Sequence, residues 1–106
     1  MAYDKSVSLR LKTALLGEDV SERKMFGGLA YMMNGNMCCG VVNDQVVLRL
    51  GKEGVAKALE DPNIREMEFT GRPMPTMVYM DGFVSDSEFE DWVAEAVAFT
   101  RGLQEK

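Results

Sequence analysis

With 106 residues, of which 46% are hydrophobic and 27% charged, the chain has the size and composition of one globular domain spanning residues 1–106. It contains no apolar run near the roughly 18 residues of a membrane span and no signal-peptide core at its start, so we expect a cytoplasmic protein without membrane contact. Twelve basic and seventeen acidic residues give a net charge of -5, which argues against tight direct binding of nucleic acid because that binding needs a concentrated basic surface.

The first half of the chain predicts one helix followed by three strands. A helix is expected from Asp4 to Leu16, because apolar residues recur there at helical spacing and Gly17 offers a stop. Strands are expected at 24–33, 37–42 and 45–50, since Asn-Gly and Asn-Asp dipeptides separate these apolar segments as turns.

The second half predicts a short helix, two strands and a long final helix. The short helix opens at Gly51 and is stopped by Pro62, because proline clashes with a continuing helix. Strands are expected at 66–69 and 76–80, joined by a loop that contains Gly71. The predicted fold class is therefore α+β, with two layers: a mainly antiparallel five-stranded sheet with the N- and C-terminal helices packed on it.

The final helix has the strongest local signal. Ser85 and Glu88 form a capping box, in which the hydroxyl and the carboxylate each satisfy an unpaired backbone N–H. Val84 and Phe89 occupy the two positions of a hydrophobic staple. The residues expected to line the buried face of the helix are Phe89, Trp92, Val93, Ala96 and Leu103.

The alternation of side chains predicts which residues share each face of the sheet, provided that both tight turns have two residues. A three-residue turn at 34–36 would instead invert the first strand. One face, expected to pack on helices, carries Phe26, Gly28, Ala30, Met32, Met37, Cys39, Val41, Val46, Leu48 and Leu50. The other carries Gly27, Leu29, Tyr31, Met33, Cys38, Gly40, Val42, Val47 and Arg49.

The second of these faces is too apolar for a solvated sheet surface. A second copy of the chain, another protein or one of its own helices should cover it. We expect a homodimer, with Leu29, Tyr31, Met33, Val42 and Val47 in the contact. The nine methionines are expected mainly to fill irregular core space, with an adaptable contact surface as the alternative.

Catalytic and metal-binding signals are weak. The chain has no histidine, the usual general base near neutral pH, and no nucleophile-elbow, HExxH or phosphate-loop pattern. Cys38 and Cys39 are neighbours on a predicted strand, so they are expected to point to opposite faces as buried free thiols. We therefore expect no enzymatic activity, no metal site and no cofactor.

Three short segments carry a family resemblance: Met25-Phe26-Gly27-Gly28-Leu29, Met37-Cys38-Cys39-Gly40-Val41-Val42 and Phe69-Thr70-Gly71-Arg72-Pro73-Met74. Together they resemble the N-terminal domain of the TfoX/Sxy family, regulators of natural competence in bacteria. The resemblance runs from the first helix to about Phe99. It implies a two-layer α+β fold and a role in transcriptional control through a protein partner, such as the cyclic-AMP receptor protein. The C-terminal helical domain of full-length regulators is not seen, so a stand-alone relative is expected.

Arg72 is the best single candidate for a functional contact. Gly71 and Pro73 restrict the backbone on either side of it, so a bidentate cationic donor is presented on a stiff loop. The alternative function is therefore a small-molecule or anion-binding protein, or an uncharacterised enzyme, that uses Arg72 and the glycine-rich strand at Phe26, Gly27 and Gly28. A further alternative is that Arg72 forms an intramolecular salt bridge, which would only hold the loop in place.

Overall fold

The computed structural model describes the chain apart from residues 1–2, 26, 70 and 104–106, and apart from the side chains of residues 25, 69 and 72–74. None of the helices in this described part is long and apolar enough to cross a membrane. The elements in chain order are α1 (Lys5–Ala14), β1 (Ser21–Met25), β2 (Gly28–Met33), β3 (Asn36–Val42), β4 (Gln45–Arg49), α2 (Gly51–Ala58), β5 (Ile64–Phe69), β6 (Arg72–Asp81) and α3 (Asp86–Arg101).

The sheet has six strands in the order β1-β2-β3-β4-β6-β5, and every neighbouring pair is antiparallel. The predicted α+β class is confirmed, but the predicted count of five strands is wrong. The segment 24–33 is not one strand, because Met25 pairs with Gly28 and the chain reverses between them. Gly27 makes this reversal accessible, since its φ of 74° lies in the left-handed region that glycine adopts without strain.

All three helices pack on one face of the sheet and enclose the main core. We call this the helix-side core. It is built from the helix residues Val7, Leu11, Val55, Ala58, Phe89, Val93, Ala96 and Val97 and from strand residues that include Leu29, Tyr31, Met33, Cys38, Cys39, Val41, Val46, Leu48, Val78 and Met80. The predicted two-layer arrangement is thus confirmed.

The predicted register is wrong for β2 and for Met37 at the start of β3, and a β-bulge is the reason. The Asn34-Gly35 turn does have two residues, since Met33 pairs with Asn36. The register then shifts, so that Tyr31 pairs with Cys39 while Met32 pairs with Met37, and Cys38 has no partner opposite it. An extra residue in one strand exchanges the faces of everything beyond it. Leu29, Tyr31 and Met33 therefore lie in the helix-side core, which removes them from the predicted dimer contact.

The opposite face of the sheet carries a second, smaller core that we call the methionine cluster. It consists of Ala30, Met37, Val47, Met67 and Met77, one residue from each of β2 to β6, and each is at most 7% exposed. Met32, Val42 and Tyr79 pack around it partly exposed. Core filling is thus the observed role of these methionines. The homodimer stays a prediction, but Leu29, Tyr31 and Met33 of β2 can no longer form its contact surface.

The ends of α1 and α3 follow the local signals closely. The Asp4 carboxylate accepts from the backbone N–H groups of Ser6 and Val7, and the Ser85 hydroxyl accepts from the Glu88 N–H at 3.2 Å. The staple residue Phe89 is buried as predicted. Trp92 differs from prediction, because it is only partly buried and lies at the margin of the helix-side core.

Candidate functional site

The first and third of the family segments form hairpin turns at opposite ends of the sheet. One turn joins Met25 to Gly28, and the other joins Phe69 to Arg72. On β6, Arg72 lies nine residues before Asp81. Asp81 lies level with Gly28 across β3 and β4, next to the turn that precedes Gly28. The structure therefore does not bring the two predicted contact segments together.

The glycines in these turns have a backbone role. Gly27 and Gly71 have φ values of 74° and 77°, which favour glycine over any residue with a side chain. A Cβ on Gly28 would lie 2.1 Å from the carbonyl oxygen of Val41, so only glycine permits this approach of β2 to β3. Phe26 and the side chains of Arg72 and Pro73 lie outside the described residues, so the predicted contact through Arg72 stays a prediction.

The two cysteines do not point to opposite faces as predicted. The bulge at Cys38 turns both side chains into the helix-side core, and both are fully buried free thiols. A hydrogen bond between them, followed by burial, raises the pKa of the Cys39 thiol. The same hydrogen bond lowers the pKa of the Cys38 thiol. Burial makes the pair part of the core rather than a reactive site.

A groove of about 770 Å³ lies between α2 and α3. Lys57 of α2 and Asp61 after it form one wall, and α3 forms the other. A second concavity of about 500 Å³ at the start of α2 shares Lys57, Trp92, Glu95 and Ala98 with the first. The two are therefore parts of one surface, which we call the α2–α3 groove. The residues lining it from α3 and its N-cap are Ser85, Ser87, Glu88, Asp91, Trp92, Ala94, Glu95, Ala98 and Phe99.

The start of α2 is held against α3 by a glycine that tolerates no side chain. Gly51 has a φ of 77°, and a Cβ built on it would lie 2.4 Å from the Phe99 ring. This close contact lies at one end of the groove, and a side chain at position 51 would push α2 away from the Phe99 ring.

The groove presents an aromatic surface beside acidic side chains. The ammonium of Lys57 lies 6.0 Å from the centroid of the Trp92 ring and 3.8 Å from Glu95 Oε1. The side chain of Lys57 is 70% exposed and that of Glu95 is 55% exposed, so this ion pair contributes little to stability.

Two carboxylates meet at one end of the groove. A hydrogen bond with Asp61 raises the pKa of Glu88, and the same interaction with Glu88 lowers the pKa of Asp61. Asn63 Nδ2 also lies 3.5 Å from Glu88 Oε2, at the limit of a hydrogen bond. In the capping box, the Glu88 carboxylate was expected to accept from a backbone N–H at the start of α3. It instead faces Asp61 and Asn63 in the loop after α2.

The side chains on this surface include an aromatic ring, carboxylates and lysines. Among the described residues no group of three or more cysteine, aspartate or glutamate side chains could hold a metal ion. An open groove with an aromatic side chain and unmatched charge is typical of a contact surface.

A comparison with known families identifies the family of the chain. The model of the TfoX N-terminal domain family matches residues 12–100, which is most of the chain. The chain belongs to the TfoX N-terminal domain family. The match includes both glycine turns and the whole α2–α3 groove. No curated protein and no solved structure matches the chain significantly.

Sequence reasoning alone missed the groove. It assigned Trp92 to the buried face of α3 and Glu88 to the capping box. A signal was present, because Glu88, Asp91, Trp92 and Glu95 recur at a spacing that places them on one stripe of a helix. The helix that faces this stripe is set by tertiary packing and could not be read from the spacing.

Proposed function

We propose that this TfoX N-terminal domain is a non-enzymatic regulatory module that acts by binding a protein partner. The observation that carries the proposal is the family match over residues 12–100. The open α2–α3 groove supports it, because an aromatic side chain within a charged concavity is typical of protein contacts. The role we propose is control of competence genes through a transcription factor, with the cyclic-AMP receptor protein as the first partner to test.

Direct DNA binding is not the proposed route. A net charge of -5 gives little counterion release to drive association with a duplex. We expect dissociation constants for random duplex no tighter than about 10⁻⁵ M near physiological salt, the weak range of non-specific binding. Fluorescence anisotropy measures this. Submicromolar affinity that falls steeply with salt would replace the partner model by direct binding.

The decisive experiment has two arms. In the first, tagged chain is incubated with purified cyclic-AMP receptor protein, with and without cyclic AMP, and the complex is measured by light scattering. In the second, transcripts of competence genes are counted in the natural host with the gene intact, deleted or restored.

Complex formation together with a transcript loss that the restored gene reverses is the expected result. Unchanged transcripts after deletion would contradict the competence role. The same light-scattering run gives the mass of the chain alone, and about twice the monomer mass would support the homodimer.

A further inference from the structure

We infer that the α2–α3 groove binds a lysine- or arginine-rich amphipathic segment of a partner protein. This inference rests on the proposed function and adds to it the surface and the chemistry of the partner. It follows from the aromatic floor of the groove, from its charge and from the cation that the chain itself places there.

The floor of the groove offers apolar contact that a partner can reach. Trp92 is packed against the helix-side core on one side and remains partly exposed on the other. Ala94 and Ala98 also line the groove and are exposed, so α3 adds only small apolar side chains at these two positions. A fixed, partly exposed tryptophan is a common centre of binding energy, because it gives a large contact area at a small entropy cost.

The charge of the groove is strongly negative. Its lining includes five carboxylates and two lysines, the acids being Glu53, Asp61, Glu88, Asp91 and Glu95. On α3, three of these acids share one face with Trp92, and no basic residue of α3 lines the groove. The basic residue in the last turn, Arg101, is paired with Glu18 of another segment. A cationic partner therefore meets unmatched negative charge here.

Lys57 shows where a cation is held in this groove. Its ammonium lies between the Trp92 ring and the Glu95 carboxylate, at 6.0 Å from the ring centroid and 3.8 Å from the oxygen. An aromatic face flanked by carboxylates attracts a cation through both the ring quadrupole and charge. Because Lys57 is largely exposed and its ion pair is weak, an arginine or lysine of the partner can displace it.

The same features exclude other occupants. Nucleic acids and anionic membranes carry the same sign of charge as the groove. A bare metal ion lacks a cluster of three ligands among the described residues. A basic peptide segment satisfies both the apolar floor and the charged rim.

The direct test is a titration of ¹⁵N-labelled chain followed by NMR. The probe is a synthetic amphipathic peptide of leucine and lysine, and its counterpart has glutamate in place of every lysine. The expected result is shifts confined to 51–61 and 85–99 with the lysine peptide, weaker binding as salt rises, and no binding of the glutamate peptide. Shifts centred on β1 or β5, or equal binding of both peptides, would overturn the inference.

Matched variants separate the groove from general charge. Asp91→Lys with Glu95→Lys reverses two exposed groove acids, and Glu66→Lys with Glu68→Lys reverses two exposed acids on β5. The groove pair should weaken peptide binding about tenfold or more, whereas the β5 pair should change it by no more than about twofold. Equal losses of peptide affinity in the two double variants would mean that overall charge drives binding and would refute the groove as the binding site.

A second pair tests the displacement of Lys57. Lys57→Ala should strengthen peptide binding severalfold, because the competing cation is removed. Lys12→Ala, which removes the same charge from the exposed face of α1, should strengthen peptide binding less than Lys57→Ala does. Equal effects of the two would contradict the assigned cation position.

The groove variants also distinguish failure of this inference from failure of the proposed function. If the wild-type chain binds the cyclic-AMP receptor protein and the Asp91→Lys, Glu95→Lys chain binds it equally well, the groove is refuted and the interaction function stands. If the wild-type chain binds the lysine peptide in the groove but not that protein, the groove stands and the proposed partner is wrong.

Discussion

Arg10 of α1 lies over the ring of Phe89 in α3, with the guanidinium carbon 4.3 Å from the ring centroid. The same guanidinium donates hydrogen bonds to the carbonyl oxygens of Gly82 and Val84 in the turn before α3. One side chain thus connects the first helix, the last turn and the last helix. Its planar fork suits two carbonyl acceptors better than an ammonium does.

Arg10→Ala should lower the free energy of unfolding by about 2–3 kcal/mol, because charge-assisted hydrogen bonds and a cation–π contact are lost together. Arg10→Lys should recover only part of this. Lys12→Ala, on the exposed side of the same helix, should stay within about 0.5 kcal/mol of wild type. Urea unfolding measures all three, and a neutral Arg10→Ala would show that the turn holds without the side chain.

Gly51→Ala and Gly17→Ala separate backbone strain from a clash. Both glycines have positive φ, at 77° and 88°, but only at Gly51 does an added Cβ meet another group, the Phe99 ring at 2.4 Å. Gly17→Ala should cost about 1–2 kcal/mol from strain alone. Gly51→Ala should cost roughly 1–3 kcal/mol more, from overpacking. Equal melting temperatures for the two variants would show that α2 shifts freely away from α3.

Phe89→Ala and Trp92→Ala should differ although both residues lie on α3. Phe89 is 2% exposed, so its truncation should cost about 3–5 kcal/mol. Trp92 is only partly buried, so its truncation should cost less, about 1–2 kcal/mol by scaling the core value to partial burial. The two values come from denaturant melts. A Trp92 variant as damaging as the Phe89 variant would restore the original assignment of Trp92 to the core.

Tyr31 should make stability fall in alkaline solution. Burial, and then a hydrogen bond to Glu22, raise the pKa of its phenol to about 12. The folded state keeps the phenol proton that the unfolded state loses near pH 10. The contribution of Tyr31 to the free energy of unfolding is therefore complete below about pH 10 and is lost as the pH rises toward 12. Tyr31→Phe should flatten this decline. An unchanged alkaline profile would assign the loss to other groups.

The cysteine pair should be unreactive in the folded protein. Both thiols have 0% exposure, so Ellman's reagent should modify neither before the chain unfolds. In denaturant both of the chain's cysteines should react. Fast modification of one thiol in native buffer would show that β3 opens locally at the bulge.

Local signals were sufficient where a few neighbouring residues decide the structure. Ser85 caps α3 and Asn34-Gly35 turns the chain, because in both cases the interacting groups lie within three residues of each other. The bulge at Cys38 has no such signal. Its observed effect is to turn Cys38 as well as Cys39 into the helix-side core, which is a contact with residues distant in the sequence.

The candidate site was less predictable than the fold. Trp92 and Lys57 belong to separate helices, and their approach depends on how α2 and α3 lie on the sheet. Spacing along α3 shows a shared stripe but not which face of the helix is covered. The glycine segments were visible as family features, yet their observed role is to turn the backbone.

The position of β6 between β4 and β5 has a consequence for the order of folding. Four of the five strand pairings join consecutive strands across two-residue turns and can form early, from contacts close in sequence. The fifth pairs Gln45 with Asp81 and must enclose α2 and β5 before it gains any contact. We therefore expect this closure to set the folding rate, so that assembly of the groove waits for the slowest step in the formation of the sheet.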